Sequence, residues 1–477
     1  MKKEQQQRQE IQGELLAPED YLRPYVSGEL RKGSAASEEQ QDFTAFNGMR
    51  ALTTNLMVKV CERHNLILAY KRVKANKGGP GVDGMTVGEL SAWLKTHKDA
   101  LKTSLLDGSY QPDPVRGMEI PKSGGGKRQL GIPTVRDRLV QQALLQVLEP
   151  ILDPTFSPYS YGFRPRRSAH DALRQASRYV KEGRVYVVDC DLEKFFDRVN
   201  HDILMARIAK RIGDKNLLRI IRRFLEAGMM RNGIAMERHE GTPQGGPISP
   251  LLANLLLDDL DKELERRGHR FCRYADDFNV YVASEKAGKR VMSSITGFIE
   301  GKLKLKVNKE KSAVAPVWER QFLGYRLKRD GGLAVAPKSL KKMKGRVREI
   351  TKRNRPKRFG KRVQELNEYL SGWVTYFQLS DSRSRLSGLD QWIRRKLRCA
   401  RLKERKRSFP IAKFLMSLDV KEKEAWKLAL SGKGWWRLSN TPQLNMAMDN
   451  HWFYQQGLVS LTVRWGQLKV KRNRLGT

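Results

Sequence analysis

Aromatic and β-branched residues crowd both sides of an Asp276-Asp277 pair in residues 271–282, FCRYADDFNVYV. That pattern predicts two strands joined by a tight hairpin, with the two carboxylates at its tip. A second run, residues 185–197, opens as an apolar strand that ends in Asp189 and Asp191 and passes straight into Phe195-Phe196. It predicts a strand whose acidic end can meet the hairpin tip on one side of a sheet. Period-two alternation puts Asp189 and Asp191 on one strand face, so spacing does not separate them, and Asp191 is merely nearer the strand's end. Residues 118–121 and 129–133 predict a smaller hairpin around the basic turn 122–128, followed by a helix from Thr134 to about residue 148, ahead of Pro150.

Elsewhere the pattern is helical or turn-like. Residues 55–73 predict a helix that ends in the Gly/Pro-rich cluster 77–84, where glycines can let a backbone approach phosphate or simply form a loop. Ser168 is placed to cap a helix, and just before it Tyr159, Tyr161 and Phe163 alternate ahead of Arg164, Arg166 and Arg167. Such interleaving suits base stacking and phosphate contact, and equally a packed turn. A rigid Gly/Pro loop, residues 241–250, opens an apolar helix at 251–264, while residues 303–307 and 321–325 read as short extended pieces. Leu366, Tyr369, Leu370, Trp373, Tyr376 and Phe377 share one helical face, which predicts a buried helix, and a second basic helix surrounds Trp392 at 389–401.

Length and composition narrow what these elements can be. At 477 residues with 39% hydrophobic positions, the chain can bury a large core in two or three domains. Its 92 Lys and Arg against 52 Asp and Glu leave a net charge of +40, which calls for a polyanionic partner. From residue 338 to 410 bases outnumber acids by about four to one, so much of that charge lies there. No apolar run approaches the roughly 18 residues that span a bilayer, and residues 1–45 read as a poorly packed lead-in without a signal or transit pattern. Cys61, Cys190, Cys272 and Cys399 are far apart, which argues against a disulfide framework or a structural zinc site and for a reducing setting. A strand-end carboxylate facing a hairpin-tip pair is, in contrast, what a two-metal phosphoryl-transfer site needs.

Taken together, Tyr274-Ala275-Asp276-Asp277, the run from Asp191 to Phe196, and Thr242-Pro243-Gln244-Gly245-Gly246 resemble a reverse transcriptase. Residues 79–84, Tyr161-Gly162-Phe163-Arg164-Pro165, Phe322-Leu323-Gly324-Tyr325 and the helix 366–377 narrow the resemblance to proteins encoded by group II introns, over roughly residue 50 to the end. The resemblance implies an α+β right-hand polymerase: fingers and palm at 46–335, a helical thumb or maturase domain at 336–430, and a small DNA-binding region at 431–477. It implies that Asp191, Asp276 and Asp277 hold two Mg2+ ions, with Mn2+ as a substitute, and that Lys122, Arg128, Phe196 and Gln244 contact the incoming dNTP. Phe196 would reject a 2′-hydroxyl by bulk, and Lys311 would protonate the leaving pyrophosphate. The paired cysteines of the C-terminal endonuclease domain found in many relatives do not occur, so second-strand cleavage is not expected.

The expected function is RNA-directed DNA polymerisation in target-primed reverse transcription (retrohoming), together with maturase assistance to splicing of the intron RNA. The alternatives are a domesticated reverse transcriptase in DNA repair or phage defence, and an RNA-binding splicing factor whose polymerase is dispensable. Expected partners are the intron RNA, an RNA template with a DNA or RNA primer, target DNA and dNTPs, without a membrane, in bacterial cytoplasm and on the nucleoid when DNA is bound.

Overall fold

The computed structural model describes residues 53–121, 127–231, 234–236, 240–242, 245–355, 357–381 and 383–474. The expected lead-in, residues 1–45, lies outside them. Compactness divides the chain once, into a unit that ends at Pro316 and a unit that begins at Val317.

Two sheets build the first unit. Strands β1 (Val115–Pro121) and β2 (Lys127–Ile132) form the smaller predicted hairpin. β1 also pairs in parallel with β4 (Met229–Arg231), which pairs with β5 (Ile234–Met236), giving the order β2-β1-β4-β5. The second sheet has the order β6-β7-β3-β8, formed by β3 (Tyr186–Cys190), β6 (Arg270–Tyr274), β7 (Asp277–Val282) and β8 (Ala313–Pro316), all antiparallel. Its apolar face carries Val188, Phe278 and Val280, which join Leu252, Leu256 and Ile295 in one core.

Helices fill the space behind. Helix α1 (Val135–Leu152) is capped by Thr134, whose hydroxyl accepts from the Asp137 N–H. It runs past Pro150, four residues beyond the expected end: the ring takes a donor from the Gln146 carbonyl, but buried Leu148 and Leu152 carry the turn inward regardless. Helix α2 (Ala169–Lys181) starts at Ser168, where Ser168 and Asp171 each accept from the other's backbone N–H. Helix α3 (Ser249–Arg266) is buried along most of its length, and α4 (Glu285–Lys302) packs beside β3 and β8. The predicted helix at 55–73 is two helices, Leu56–Val60 and Arg63–Ala75, and the glycine cluster after them folds onto α1, with Arg138 Nη2 donating to the Gly79 carbonyl at 2.6 Å. That contact favours the loop reading over phosphate binding. All four cysteines are free and buried.

In the second unit β9 (Tyr325–Leu327) and β10 (Leu333–Val335) form a short hairpin. The extended piece expected at 321–325 is instead a turn, because Leu323 and Gly324 both take positive φ (50° and 76°). Tyr376 fixes that turn by donating its hydroxyl to the Leu323 carbonyl at 3.0 Å. The helices are α5 (Pro337–Ile350), α6 (Phe359–Tyr376), α7 (Arg383–Arg405), the single turn α8 (Trp435–Leu438), and α9 (Leu461–Arg474), with shorter ones between. The predicted face of α6 is interior: Leu366, Leu370, Trp373 and Phe377 are buried. Asp390 on α7 accepts from the Leu461 and Thr462 N–H groups and so caps α9, tying the C-terminal segment back onto the basic helices. Among the described residues no helix is long and apolar enough to cross a membrane.

Candidate active site

The β6–β7 register pairs Tyr274 with Asp277 and leaves Ala275 and Asp276 as a two-residue turn. Along β3, Cys190 pairs with Phe278, so the next step brings Asp191 beside Asp277 at the same end of neighbouring strands. Asp189 pairs with Asn279. Cross-strand partners share a face, so Asp189, Asp191, Asp277 and Asn279 all point to one side of the sheet. The structure therefore brings Asp191 and Asp277 together, adds Asp189 on the same face, and leaves Asp276 close by in the turn.

Electrostatics report the crowding. Desolvation, then the charges of Asp189, Asp276 and Asp191, push the Asp277 carboxyl up to about 8. Asp277 keeps an exposed face, so the surrounding like charges are the firmer part of that shift. Asn279 leaves its Oδ1 buried with no hydrogen-bond partner on the same face. Lys311 brings Nζ to 3.7 Å from Asp191 Oδ2, with both side chains largely open to solvent. Among the described residues no three acids, histidines or cysteines are arranged to hold a metal ion by themselves. A hard cation such as Mg2+ is ordinarily held by one or two carboxylates with substrate phosphates completing the shell. Crowded carboxylates and an orphan amide oxygen fit that kind of site.

The turn that presents these acids is held from behind by residues absent from the sequence reading. Ala275 takes a left-handed φ of 58°, a conformation that costs a residue with a Cβ roughly 1–2 kcal/mol. Arg273, fully buried, fixes it. Its Nη1 donates to the Ala275 carbonyl at 3.0 Å and to Asn254 Oδ1 at 2.8 Å, while Nε donates to Asp261 Oδ1 at 2.8 Å. Asn254 and Asp261 stand seven residues apart on α3, hence on one face. Asn254 Nδ2 in turn donates to the Gly162 carbonyl at 2.8 Å. Burial raises the Asp261 carboxyl above its usual range, against the pull of Arg273.

Gly162 explains why an aromatic and arginine-rich segment lies beside the acids. Residues 159–161 run along β6, with the Arg273 N–H donating to the Tyr159 carbonyl and the Tyr161 N–H to the Arg273 carbonyl. A Cβ on Gly162 would lie 2.3 Å from the Ala275 nitrogen and 2.8 Å from the Tyr274 carbonyl carbon, both backbone atoms. Arg164 is buried and spent on Asp153 and on the Ser157 and Ser160 carbonyls. The packed-turn reading therefore holds for Tyr159, Tyr161 and Arg164, while Phe163 remains exposed. Gly162→Ala is expected to displace the Tyr274–Asp277 turn and lower the extension rate about 100-fold, the effect of roughly 1 Å of misplacement. Gly297→Ala, in open space on α4, serves as the control in the same assay and should leave the rate unchanged.

The other predicted residues divide. Phe196 lies in a 3-10 turn (Phe195–Asp197), half-buried and edge-on to Phe195 with centroids 5.1 Å apart. The loop at 241–242 docks on that turn: the Thr242 N–H donates to the Phe196 carbonyl at 2.7 Å and the Gly241 N–H to the Val199 carbonyl at 2.7 Å. Gly241 has a φ of 91°, and a Cβ there would sit 2.9 Å from the Phe196 and Asp197 oxygens. The strand-end acid motif and the Gly/Pro loop are thus one assembly. Arg128 lies on β2, paired with Ile120. Lys122 and Gln244 lie outside the described residues.

Comparison with known proteins agrees with this geometry. Residues 120–327 match the family described as reverse transcriptase (RNA-dependent DNA polymerase). Residues 340–414 match the group II intron, maturase-specific domain. The chain is 37% identical over 288 residues to protein YkfC of Escherichia coli (strain K12), covering 52% of this chain and 75% of that protein. It is 31% identical over 343 residues to the group II intron-encoded protein LtrA of Lactococcus lactis subsp. cremoris, covering 58% of this chain and 57% of that one. The putative COX1/OXI3 intron 2 protein of Saccharomyces cerevisiae is 29% identical over 256 residues, covering 53% of this chain and 29% of that protein. The chain thus spans just over half of LtrA and under a third of the yeast protein.

The chain belongs to the reverse transcriptase (RNA-dependent DNA polymerase) family and has the right-hand polymerase fold of that class. Within that class it belongs to the group II intron type, which joins the polymerase to a maturase-specific domain. Enzymes of this family use divalent metal ions and act on nucleic acid.

Proposed function

We propose that the chain copies its intron RNA into DNA from a primer at the DNA target, and that it assists splicing of the same RNA through residues 336–430. The observation that supports the polymerase half is the juxtaposition of Asp191 and Asp277 at neighbouring strand ends, with Asp276 next to them in the β6–β7 turn. Bound there, two Mg2+ ions, or Mn2+ in their place, would neutralise the triphosphate and activate the primer 3′-hydroxyl. Asp191 and Asp277 hold the site from adjacent strands, Asp276 from the turn. Phe196, in the turn that follows Asp191, would be the bulk that excludes a ribose 2′-hydroxyl. Lys311, at the site's open edge beside Asp191, is placed to donate a proton to departing pyrophosphate. Lys122, Arg128 and Gln244 complete the dNTP contacts in this reading.

The maturase half rests on charge and on the match at residues 340–414. A basic surface over a buried apolar face suits a folded RNA, with residues 431–477 engaging target DNA. The working place is the bacterial cytoplasm, on the nucleoid when target DNA is bound. If six to ten phosphates are neutralised, affinity for intron RNA should fall about 10³- to 10⁵-fold between 50 and 200 mM salt. Filter binding measures this, and a flat response would remove the role given to the basic helices. Asp276→Ala should leave both RNA binding and splicing assistance intact, since the RNA itself supplies the splicing chemistry.

A further inference from the structure

The second unit gathers cations that, among the described residues, no carboxylate answers. Arg348 on α5, Arg395 and Lys396 on α7, and Arg353 in the loop after α5 stand close together. Burial first, then Arg348, Arg353 and Arg395, hold the Lys396 ammonium below its usual range. Among the described residues none of the four forms an ion pair with an acid, although nearby Arg346, Arg355, Arg362 and Arg401 do. A merely solvated basic surface would let like charges spread; these are held together on aromatic rings instead. Trp392 has Arg348 5.7 Å and Lys396 5.9 Å from its centroid, and Trp436 has Arg395 at 3.9 Å and Lys396 at 4.6 Å. Such contacts orient a cation without cancelling its charge.

Beside this group opens a groove of about 500 Å³ lined by Arg353, Lys433, Trp435, Trp436 and Arg437, with Gly432 and Gly434 in its wall. The Arg395 guanidinium donates from Nη2 to the Trp436 carbonyl at 3.1 Å, which fixes the tryptophan pair against α7. Trp435 is half-buried, and among the described residues no ring or cation stacks on it. Uncompensated cations select a polyanion, and an indole on the groove wall selects something with a flat face. A duplex keeps its base faces stacked on one another, whereas an unpaired nucleotide offers both a phosphate and a free base.

We propose that this groove binds one unpaired nucleotide of a single-stranded nucleic acid, its base against Trp435 and its flanking phosphates on Arg353, Lys433 and Arg437. Arg348, Arg395 and Lys396 take the next phosphates along the strand. The proposal rests on the nucleic-acid reading above and adds to it a site that discriminates unpaired from paired strands.

The test uses the full chain carrying Asp276→Ala, so that no extension occurs. Binding is measured for unstructured 12-nucleotide DNA and RNA strands, for the same strands lacking bases, and for a duplex of equal length. Trp435→Ala should weaken single-strand binding about 5- to 150-fold, the value of one stacked base, and leave the salt slope, the duplex and the baseless strands unchanged. Trp435→Phe should restore most of the loss. Arg353→Gln and Lys433→Gln should each reduce the salt slope by about 0.7. Preference for DNA or RNA would identify which strand is the ligand, and equal binding would show that the groove reads base and phosphate alone. If Trp435→Ala weakens the duplex or baseless strands as much, or changes nothing while thermal unfolding is unaltered, the groove is not a nucleotide site. If the parent chain binds no strand at all, the nucleic-acid reading itself fails.

Discussion

Asp277→Asn is expected to stabilise the metal-free protein while eliminating polymerisation. The carboxyl of Asp277 is pushed up to about 8 by desolvation and by Asp189, Asp276 and Asp191. Its pKa in the unfolded chain is near the ordinary aspartate value of about 3.9. Between those two values the unfolded chain has released the proton and the native one retains it, so the native state binds more protons and stability falls as pH rises. The penalty is absent below about pH 4 and complete above about pH 8. Metal-free wild type should therefore lose part of its thermal stability across that window, and a divalent cation should restore it, most strongly at the alkaline end. Asn removes the charge, so the variant's melting temperature should depend less on pH and hardly at all on added cation. Its extension rate should fall at least about 10³-fold, some 4 kcal/mol of transition-state stabilisation. A structural role for Asp277 predicts the reverse pairing, a less stable protein whose remaining activity keeps its metal dependence.

Arg273→Ala should be the most destabilising single change in the first unit. All of its donor groups are placed, on Asp261, Asn254 and the Ala275 carbonyl, and both Arg273 and Asp261 are fully buried. Truncation leaves a buried carboxylate without its counter-charge, a loss of about 3–5 kcal/mol. Removing both charges with Arg273→Met and Asp261→Leu should recover most of that stability, because an apolar pair of similar volume needs no compensation. It should not recover the polymerisation rate, since the Ala275 carbonyl and the left-handed turn remain unheld. Chemical denaturation and single-turnover extension on the same two proteins separate the roles. Recovery of both would make the arginine a packing element only.

The candidate acids were legible because their pattern is local. Asp276 and Asp277 interrupt an aromatic and β-branched run, and the register that resulted, Tyr274 opposite Asp277, is what a two-residue turn dictates. The strand that opens at Val185 was equally plain, but its partner was not: that β3 lies between β7 and β8 is a long-range fact, and only that pairing brings Asp191 beside Asp277. Alternation could not separate Asp189 from Asp191, and the structure shows why, since both stand on the acid-bearing face. The Arg273–Asp261–Asn254 bracket had a faint signature. An arginine between Cys272 and Tyr274 in an otherwise apolar strand needs a counter-charge, and Asn254 and Asp261 are polar intruders one heptad apart on an apolar helix. The steric demand at Gly162 had none, because it arises between segments more than a hundred residues apart. Helix ends were misplaced where packing overrode a local signal, as at Pro150, and the strand expected at 321–325 failed because Leu323 adopts a conformation that its side chain disfavours.

Primer extension on an RNA template with dNTPs and Mg2+, comparing the full chain with Asp276→Ala, tests the central claim most directly. The account predicts Mg2+-dependent DNA product from the unmodified chain and none above background from Asp276→Ala, with both proteins binding the template equally. Equal extension by the two would contradict the assignment of the acidic turn as the site of chemistry. Tight template binding without extension by either would leave a maturase that keeps the polymerase fold only to recognise RNA.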